Sequence, residues 1–251
     1  SLNVLNYFTT IDVTGATTDN GSDPRGADTP EEFERQADKL VNAIVAIDAD
    51  VLGLVELEND FAGDTFAIKD IVDRVNAELG SEVYAFVDPG QEFVGGDAIS
   101  NGLIYKVQEV GLQGDMAILE TFEGRDFIDP LGAGRGLNRP AIAQTFEDLD
   151  TGQALTVSVN HLKSKGSLSG IEADEAQGDG QGNNNATRTE AASILADWMN
   201  SDPTGQGSSN SLILGDLNAY AREDPLTTLS DAGFTDLAAA ELGEDAYSYV
   251  F

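Results

Sequence analysis

The chain has no cysteine, which excludes disulfides and thiolate metal sites. Any metal chemistry must therefore use oxygen and imidazole donors, hence Mg²⁺, Mn²⁺ or Ca²⁺. Histidine occurs once, as His161, so a single side chain has an unperturbed pKa suited to proton transfer near neutrality. Basic residues are scarce: 13 Lys and Arg stand against 45 Asp and Glu, a formal charge of −32. That charge describes a heavily solvated surface, and it repels a polyanion unless cations or a local basic patch intervene. No apolar run approaches the roughly 20 residues of a membrane-spanning helix, and no charged-then-apolar leader opens the chain. It reads as soluble, already processed and without a membrane span. What remains is 251 residues, 41% of them hydrophobic, enough for a sizeable core and read as one domain over 1–251.

Strand and helix signals alternate along the chain. Leu2 to Phe8 is an apolar stretch broken by asparagines, a strand already under way, and 12–28 is an aperiodic polar loop. Thr29-Pro30-Glu31-Glu32 carries a hydroxyl cap, a proline at the first helical position and a capping-box glutamate. The spacing of Phe33, Leu40, Val41, Ile44 and Val45 predicts a helix to about Ile47. Asp50 to Glu56 reads as a buried strand with Glu56 at its carboxyl end. A second helix runs from about Phe66 to Leu79, closed by Gly80. Strands follow at 84–87, 103–107, 111–119, 141–146 and 155–161. A low-complexity loop of Gly, Asp, Glu, Gln and Asn spans 166–185, mobile or ordered by a cation, before a helix over 186–199. Ser211 to Leu214 is a short buried strand, Asp224-Pro225 starts a short helix, and Tyr247 to Phe251 is strand-like.

Three strand ends carry side chains able to do chemistry. Glu56 fits a hard cation, since Mg²⁺ takes one or two carboxylates and keeps water and phosphate in its other positions; it equally fits a solvated strand end. His161, in Val159-Asn160-His161-Leu162-Lys163-Ser164-Lys165, is either a proton donor beside two phosphate-holding lysines or a hydrogen-bonded structural histidine. Asp216 and Asn218, in Gly215-Asp216-Leu217-Asn218-Ala219-Tyr220, offer an acceptor for metal or water and a phosphate donor, or else simply form an Asx turn.

Read together and in order, Asn3, Glu56 closing Asp50 to Glu56, Asn160-His161-Leu162 and Gly215-Asp216-Leu217-Asn218-Ala219 resemble the endonuclease/exonuclease/phosphatase superfamily. Asn3 to Phe8, Val159 to Ser167, Gln177-Gly178-Asp179-Gly180-Gln181-Gly182 and Gly215 to Pro225 are similar to its branch of secreted bacterial extracellular nucleases. The resemblance implies an α/β (α+β) four-layer sandwich, deoxyribonuclease-like, with two stacked mixed β-sheets flanked by helices. It implies a metal site at Glu56, Asn3 and Asp216, with Mg²⁺ or Mn²⁺ as cofactor and a structural Ca²⁺ besides. The implied catalytic set is His161, Asp216, Asn218 and Glu56, and Asn160, Lys163, Lys165 and Arg188 are the implied phosphate-binding set. Arg188 also fits a helix surface.

The implied activity is hydrolysis of nucleic acid, DNA first and RNA besides, by a monomeric protein that is extracellular or on a bacterial cell surface. Given the charge of −32, Lys163, Lys165, Arg139, Arg188 and Arg222 are expected to line the cleft, with the acidic residues elsewhere. Two departures stand out. Family members carry a later Asp and an Asp-His pair, and no histidine follows His161, so the domain reads as incomplete at both ends, with its water-activating half outside this chain. Asn183-Asn184 replaces a Cys-Trp common in the branch, so a disulfide of relatives is absent. The competing readings are a phosphatase or phospholipid phosphodiesterase on the same fold, and a non-catalytic surface module binding Ca²⁺ through the 166–185 loop.

Overall fold

The computed structural model describes residues 1–246; the strand expected over 247–251 lies outside the described residues. Strand β1 (Leu2–Tyr7) leads through the irregular 12–28 loop to helix α1 (Pro30–Ile47). The predicted cap holds: Thr29 Oγ1 accepts the Glu32 N–H at 3.2 Å. The glutamate carboxylate reaches back one residue further than a capping box requires, accepting from the Asp28 N–H at 3.2 Å. Strand β2 (Val51–Glu58), helix α2 (Ala67–Leu79), β3 (Tyr84–Phe86) and β4 (Ile99–Lys106) complete the first half. They form a mixed sheet of order β1-β2-β4-β3, with β1 and β2 parallel.

The second half begins with β5 (Val110–Leu119) and a small hairpin, β6 (Thr121–Phe122) and β7 (Arg125–Asp126). Strands β8 (Ala141–Asp148), β9 (Ala154–His161) and β10 (Ser211–Asp216) then join β5 in a second mixed sheet of order β10-β9-β8-β5. Helices α3 (Asn185–Asn200), α4 (Asp224–Asp231) and α5 (Leu237–Leu242) follow β9 and β10.

The amphipathic faces decide how these elements stack. Helices α1 and α2 bury Phe33, Leu40 and Ile44 and Ile68, Ile71 and Val75. These join one core that continues through Leu54 and Ile104 to Ile142, Val157 and Val159 of the second sheet. Gly53 lets the sheets close, because a Cβ there would lie 2.8 Å from a Val159 methyl. On the outer face of the second sheet, Leu119, Ala141, Ala143 and Leu162 meet Ala191, Leu195 and Trp198 of α3. The result is the expected four layers of helices, sheet, sheet and helices.

Two expectations need correction. Strand β4 starts at Ile99, because the buried Ser100 and Asn101 pair with Leu57 and Val55 of β2, a tertiary requirement invisible in their polar side chains. Strand β10 is half-exposed, since among the described residues it ends its sheet and has a neighbour only on the β9 side.

One buried acid sets a pH dependence. Asp60, just after β2, is 6% exposed. Burial, reinforced by the Glu58 charge, pushes its carboxyl up to about 7. A folded-state pKa above the unfolded value means that the group's stabilising contribution is complete below about pH 4 and is lost as pH rises through 7. Asp60→Asn keeps an oxygen for the Ala67 N–H that Asp60 accepts at 3.2 Å. It is expected to stabilise the fold by about 1–3 kcal/mol at pH 8 and to make little difference at pH 4. Thermal midpoints at both pH values check this; equal differences at the two would contradict it.

Candidate active site

Glu56 reaches the site through a break in strand regularity. Val55 pairs with Asn101 of β4 and Leu57 with Ser100, so Glu56 is an extra residue, a β-bulge with φ +69°. It therefore lies two residues before the end of β2. The neighbouring β1 is irregular at the same level: Leu5 and Asn6 have φ of +57° and +52°. Non-glycine residues in this region each cost on the order of 1–3 kcal/mol, strain that clusters at functional sites. The carboxylate ties the two bulges together. Its Oε1 accepts from Asn3 Nδ2 at 2.9 Å and its Oε2 from the Asn6 N–H at 3.1 Å.

The second sheet delivers its residues to the same place. Parallel pairing of β9 with β10 puts His161 opposite Asp216 and Asn160 opposite Gly215, and His161 Nε2 lies 4.0 Å from Glu56 Oε1. His161 is 4% exposed and its Nδ1 has no hydrogen-bond partner among the described residues. Burial, with the Arg139 charge adding to it, pushes its pKa down to about 4, so the imidazole is neutral at pH 7. Beyond Asp216 the chain makes the Asx turn: Asp216 Oδ1 accepts the Asn218 N–H at 2.9 Å, with Asn218 at φ +50°. The Asn218 side-chain amide donates to Leu162 O at 2.9 Å, joining the β10 loop to the His161 loop. The turn thus serves to fix both residues beside His161, and Asp216 Oδ2 remains available.

Arg139 also belongs here. Its Nη2 lies 3.4 Å from Asp97 Oδ2, and Asp97 Oδ1 lies 3.1 Å from Arg25 Nη1. Arg25 and Asp97 went unnoticed in the sequence because they stand on separate loops and form no motif; only the fold brings them to Arg139.

Four expected phosphate-binding residues are placed otherwise. Asn160 is fully buried and turned away from His161, as alternation along a strand requires. Its Nδ2 donates to Ser158 Oγ and Leu214 O. The Lys163 ammonium is directed into its own loop, donating to Ser167 Oγ at 2.8 Å and to the Ser164 carbonyl and hydroxyl. Lys165 pairs with Glu223 at 2.5 Å. Arg188 lies neither on a phosphate nor on a helix surface: it is fully buried, and its guanidinium donates to the carbonyls of Lys163, Asn183 and Gln181. A buried guanidinium must satisfy its donors, and the nearby loop supplies carbonyls. Arg222 is exposed.

The 166–185 loop is likewise held by protein groups. Asn184 binds Ser164 O, Ser167 O and the Ser169 N–H, while the buried Asp174 accepts from the Thr187 N–H and hydroxyl. Among the described residues no group of three or more His, Cys, Asp or Glu forms a metal cage. The Glu56 site is a different case. A Mg²⁺ that keeps several waters and takes substrate phosphate needs only one or two carboxylates, and Glu56, with Asn3 beside it and Asp216 across the sheets, fits that donor set.

Neither a protein-family model nor a curated protein sequence matches the chain. Solved structures do. The human Nocturnin catalytic domain with bound sulfate anion matches with a TM-score of 0.52 and 19% identity, over 87% of this chain and 69% of that one. An endonuclease/exonuclease/phosphatase family protein from Bacteroides thetaiotaomicron gives 0.51 and 13%, over 81% and 62%. ANGEL2, a 2′,3′-cyclic phosphatase, gives 0.51 and 14%, over 79% and 48%. The chain spans between about half and just over two thirds of the length of these structures. Its fold is the two-sheet α/β sandwich of endonuclease/exonuclease/phosphatase proteins.

Proposed function

We propose that this chain is a divalent-metal-dependent phosphodiesterase that hydrolyses nucleic acid, with DNA as the first substrate to test. The observation that carries the reading is the convergence of Glu56, from the bulge in β2, with His161, Asp216 and Asn218, from the ends of β9 and β10, beside Arg139. Glu56 and Asn3 would hold a Mg²⁺ or Mn²⁺ ion, which would supply charge neutralisation for the phosphoryl oxygens. Asp216 Oδ2, without a partner among the described residues, can accept a hydrogen bond from water, Arg139 supplies fixed positive charge, and His161 Nε2 is placed to hydrogen-bond a phosphate or leaving oxygen. The single-domain organisation, monomeric state and secreted bacterial location are proposed with it, on the branch resemblance of the quoted motifs.

On the helical side of the first sheet, Arg74 is matched by Glu34 and Asp70, Lys69 by Asp73, and Lys106 by Asp48 and Asp50. The remaining negative surface is left to mobile ions.

The test is hydrolysis by the native protein of single- and double-stranded DNA, RNA, a sugar phosphate and sphingomyelin, with Mg²⁺, with Mn²⁺ and with EDTA. Endonucleolytic or exonucleolytic cleavage of DNA, abolished by EDTA, restored by either cation and holding through moderate salt, is expected. Turnover confined to the sugar phosphate or sphingomyelin would replace the nuclease with one of the other readings, and activity indifferent to EDTA would remove the metal.

A further inference from the structure

Tyr220 stands two residues beyond Asn218, on the loop that leaves β10. At 45% exposure it is the only exposed aromatic among the described residues. The other exposed large apolar residues are aliphatic. Its ring is held from one side: Lys165 Nζ sits 4.3 Å from the ring centroid. That ammonium is fixed in turn by Glu223 Oε1 at 2.5 Å, and Glu223 is itself 6% exposed. The Lys165 backbone is tied down by Asn183 Nδ2, which donates to its carbonyl at 3.2 Å. The ring thus bridges the two loops that carry His161 and Asn218, with its orientation set before any ligand arrives.

We propose that Tyr220 is a nucleobase platform, a subsite on which the base next to the cleaved phosphodiester stacks. This rests on the nucleic-acid reading of the neighbouring site. Three features point to a base and not to a further phosphate. The positive charge behind the ring is neutralised by Glu223, so the patch offers little attraction to an anion. The open face is a flat π surface, with the cation on the opposite side favouring the ring's orientation. A tyrosine already fixed in place loses little side-chain entropy when a base covers it. Stacking of this kind tolerates any base, so the subsite supplies affinity for unpaired nucleotides without sequence preference.

The experiment measures equilibrium binding of the native protein, Tyr220→Ala and Tyr220→Phe to two single-stranded DNA 12-mers, one with all its bases and one abasic over the central four positions. Both 12-mers carry cleavage-resistant phosphorothioate linkages, so that anisotropy in Mg²⁺ reads binding without cleavage, and thermal midpoints confirm that both variants fold. Tyr220→Ala is expected to weaken binding of the complete 12-mer by about 5- to 150-fold, the range for losing one base stack, with the abasic 12-mer bound alike by native protein and variant. Tyr220→Phe keeps native affinity. Equal binding of the complete 12-mer by native protein and Tyr220→Ala overturns the platform, as does an equal loss on both oligonucleotides. If the native protein neither binds nor cleaves either 12-mer, the nucleic-acid reading itself fails, an outcome visible before any variant is made.

Discussion

Glu56→Gln is expected to fold and to lose about 100- to 1,000-fold in phosphodiester turnover, the loss typical of removing one electrostatic stabiliser from a transition state. The substitution keeps an oxygen for Asn3 Nδ2 or the Asn6 N–H, the two donors that Glu56 binds at 2.9 and 3.1 Å. It removes the charge a divalent cation needs. Two readouts separate this from a folding defect. Mn²⁺ binding, followed by its paramagnetic signal, should weaken together with turnover, while the thermal midpoint moves by a few degrees at most. His161→Ala gives the complementary result: turnover falls by about 10²- to 10³-fold, as for loss of one hydrogen-bond donor to a transition-state oxygen, with Mn²⁺ binding retained. A Glu56→Gln protein that still turns over in a metal-dependent way at near-native rate would remove Glu56 from the centre.

How much of this was legible in the sequence depends on how local the cause is. Helix α1 was readable because Thr29, Pro30 and Glu32 act within one turn, and Gly80 marked the end of α2 for the same reason. The layer order was implied by the resemblance to endonuclease/exonuclease/phosphatase proteins, whereas amphipathic spacing marked only the faces that α1 and α2 bury. Glu56 and His161 were visible as residue types at strand ends, but the β-bulge that aims Glu56 was not. A bulge is a mismatch of register between two strands, and the second strand, β4, begins some 40 residues later. Charge was the least reliable guide. Lys163, Lys165 and Arg188 looked like a phosphate patch, yet carbonyls, hydroxyls and Glu223 consume them. A side chain's charge can be read from its letter, whereas its hydrogen-bond partners are set by the path of the 166–185 loop. The reverse error concerns Arg25 and Asp97, which gain interest only through their meeting near Arg139.

Gly215→Ala is expected to produce the largest loss of stability of any single methyl added to the site. Gly215 lies directly opposite Asn160 in the parallel pairing of β9 with β10. An added Cβ would fall 2.0 Å from the Asn160 carbonyl oxygen and 2.7 Å from its amide nitrogen. Those are backbone atoms inside a strand, so no side-chain rotation relieves the clash. The φ of +122° adds strain of its own for any residue with a Cβ. Overpacking and backbone strain together cost about 3 kcal/mol or more, which lowers the melting temperature of a domain this size by roughly 6–12 °C. Gly80→Ala provides the control. Gly80 has φ +71° but nothing within 4 Å of the added methyl, so it carries the left-handed strain without the clash and should cost only about 1 kcal/mol. Calorimetric midpoints for the two variants therefore measure the clash by difference, and a Gly215→Ala midpoint no lower than that of Gly80→Ala would refute it. The consequence reaches beyond stability, because β9 and β10 must separate to admit the methyl. That movement would part His161 from Asp216, the pair that the parallel register places side by side. A glycine before the aspartate is thus a condition of the site's geometry, set by how closely one strand must approach its neighbour.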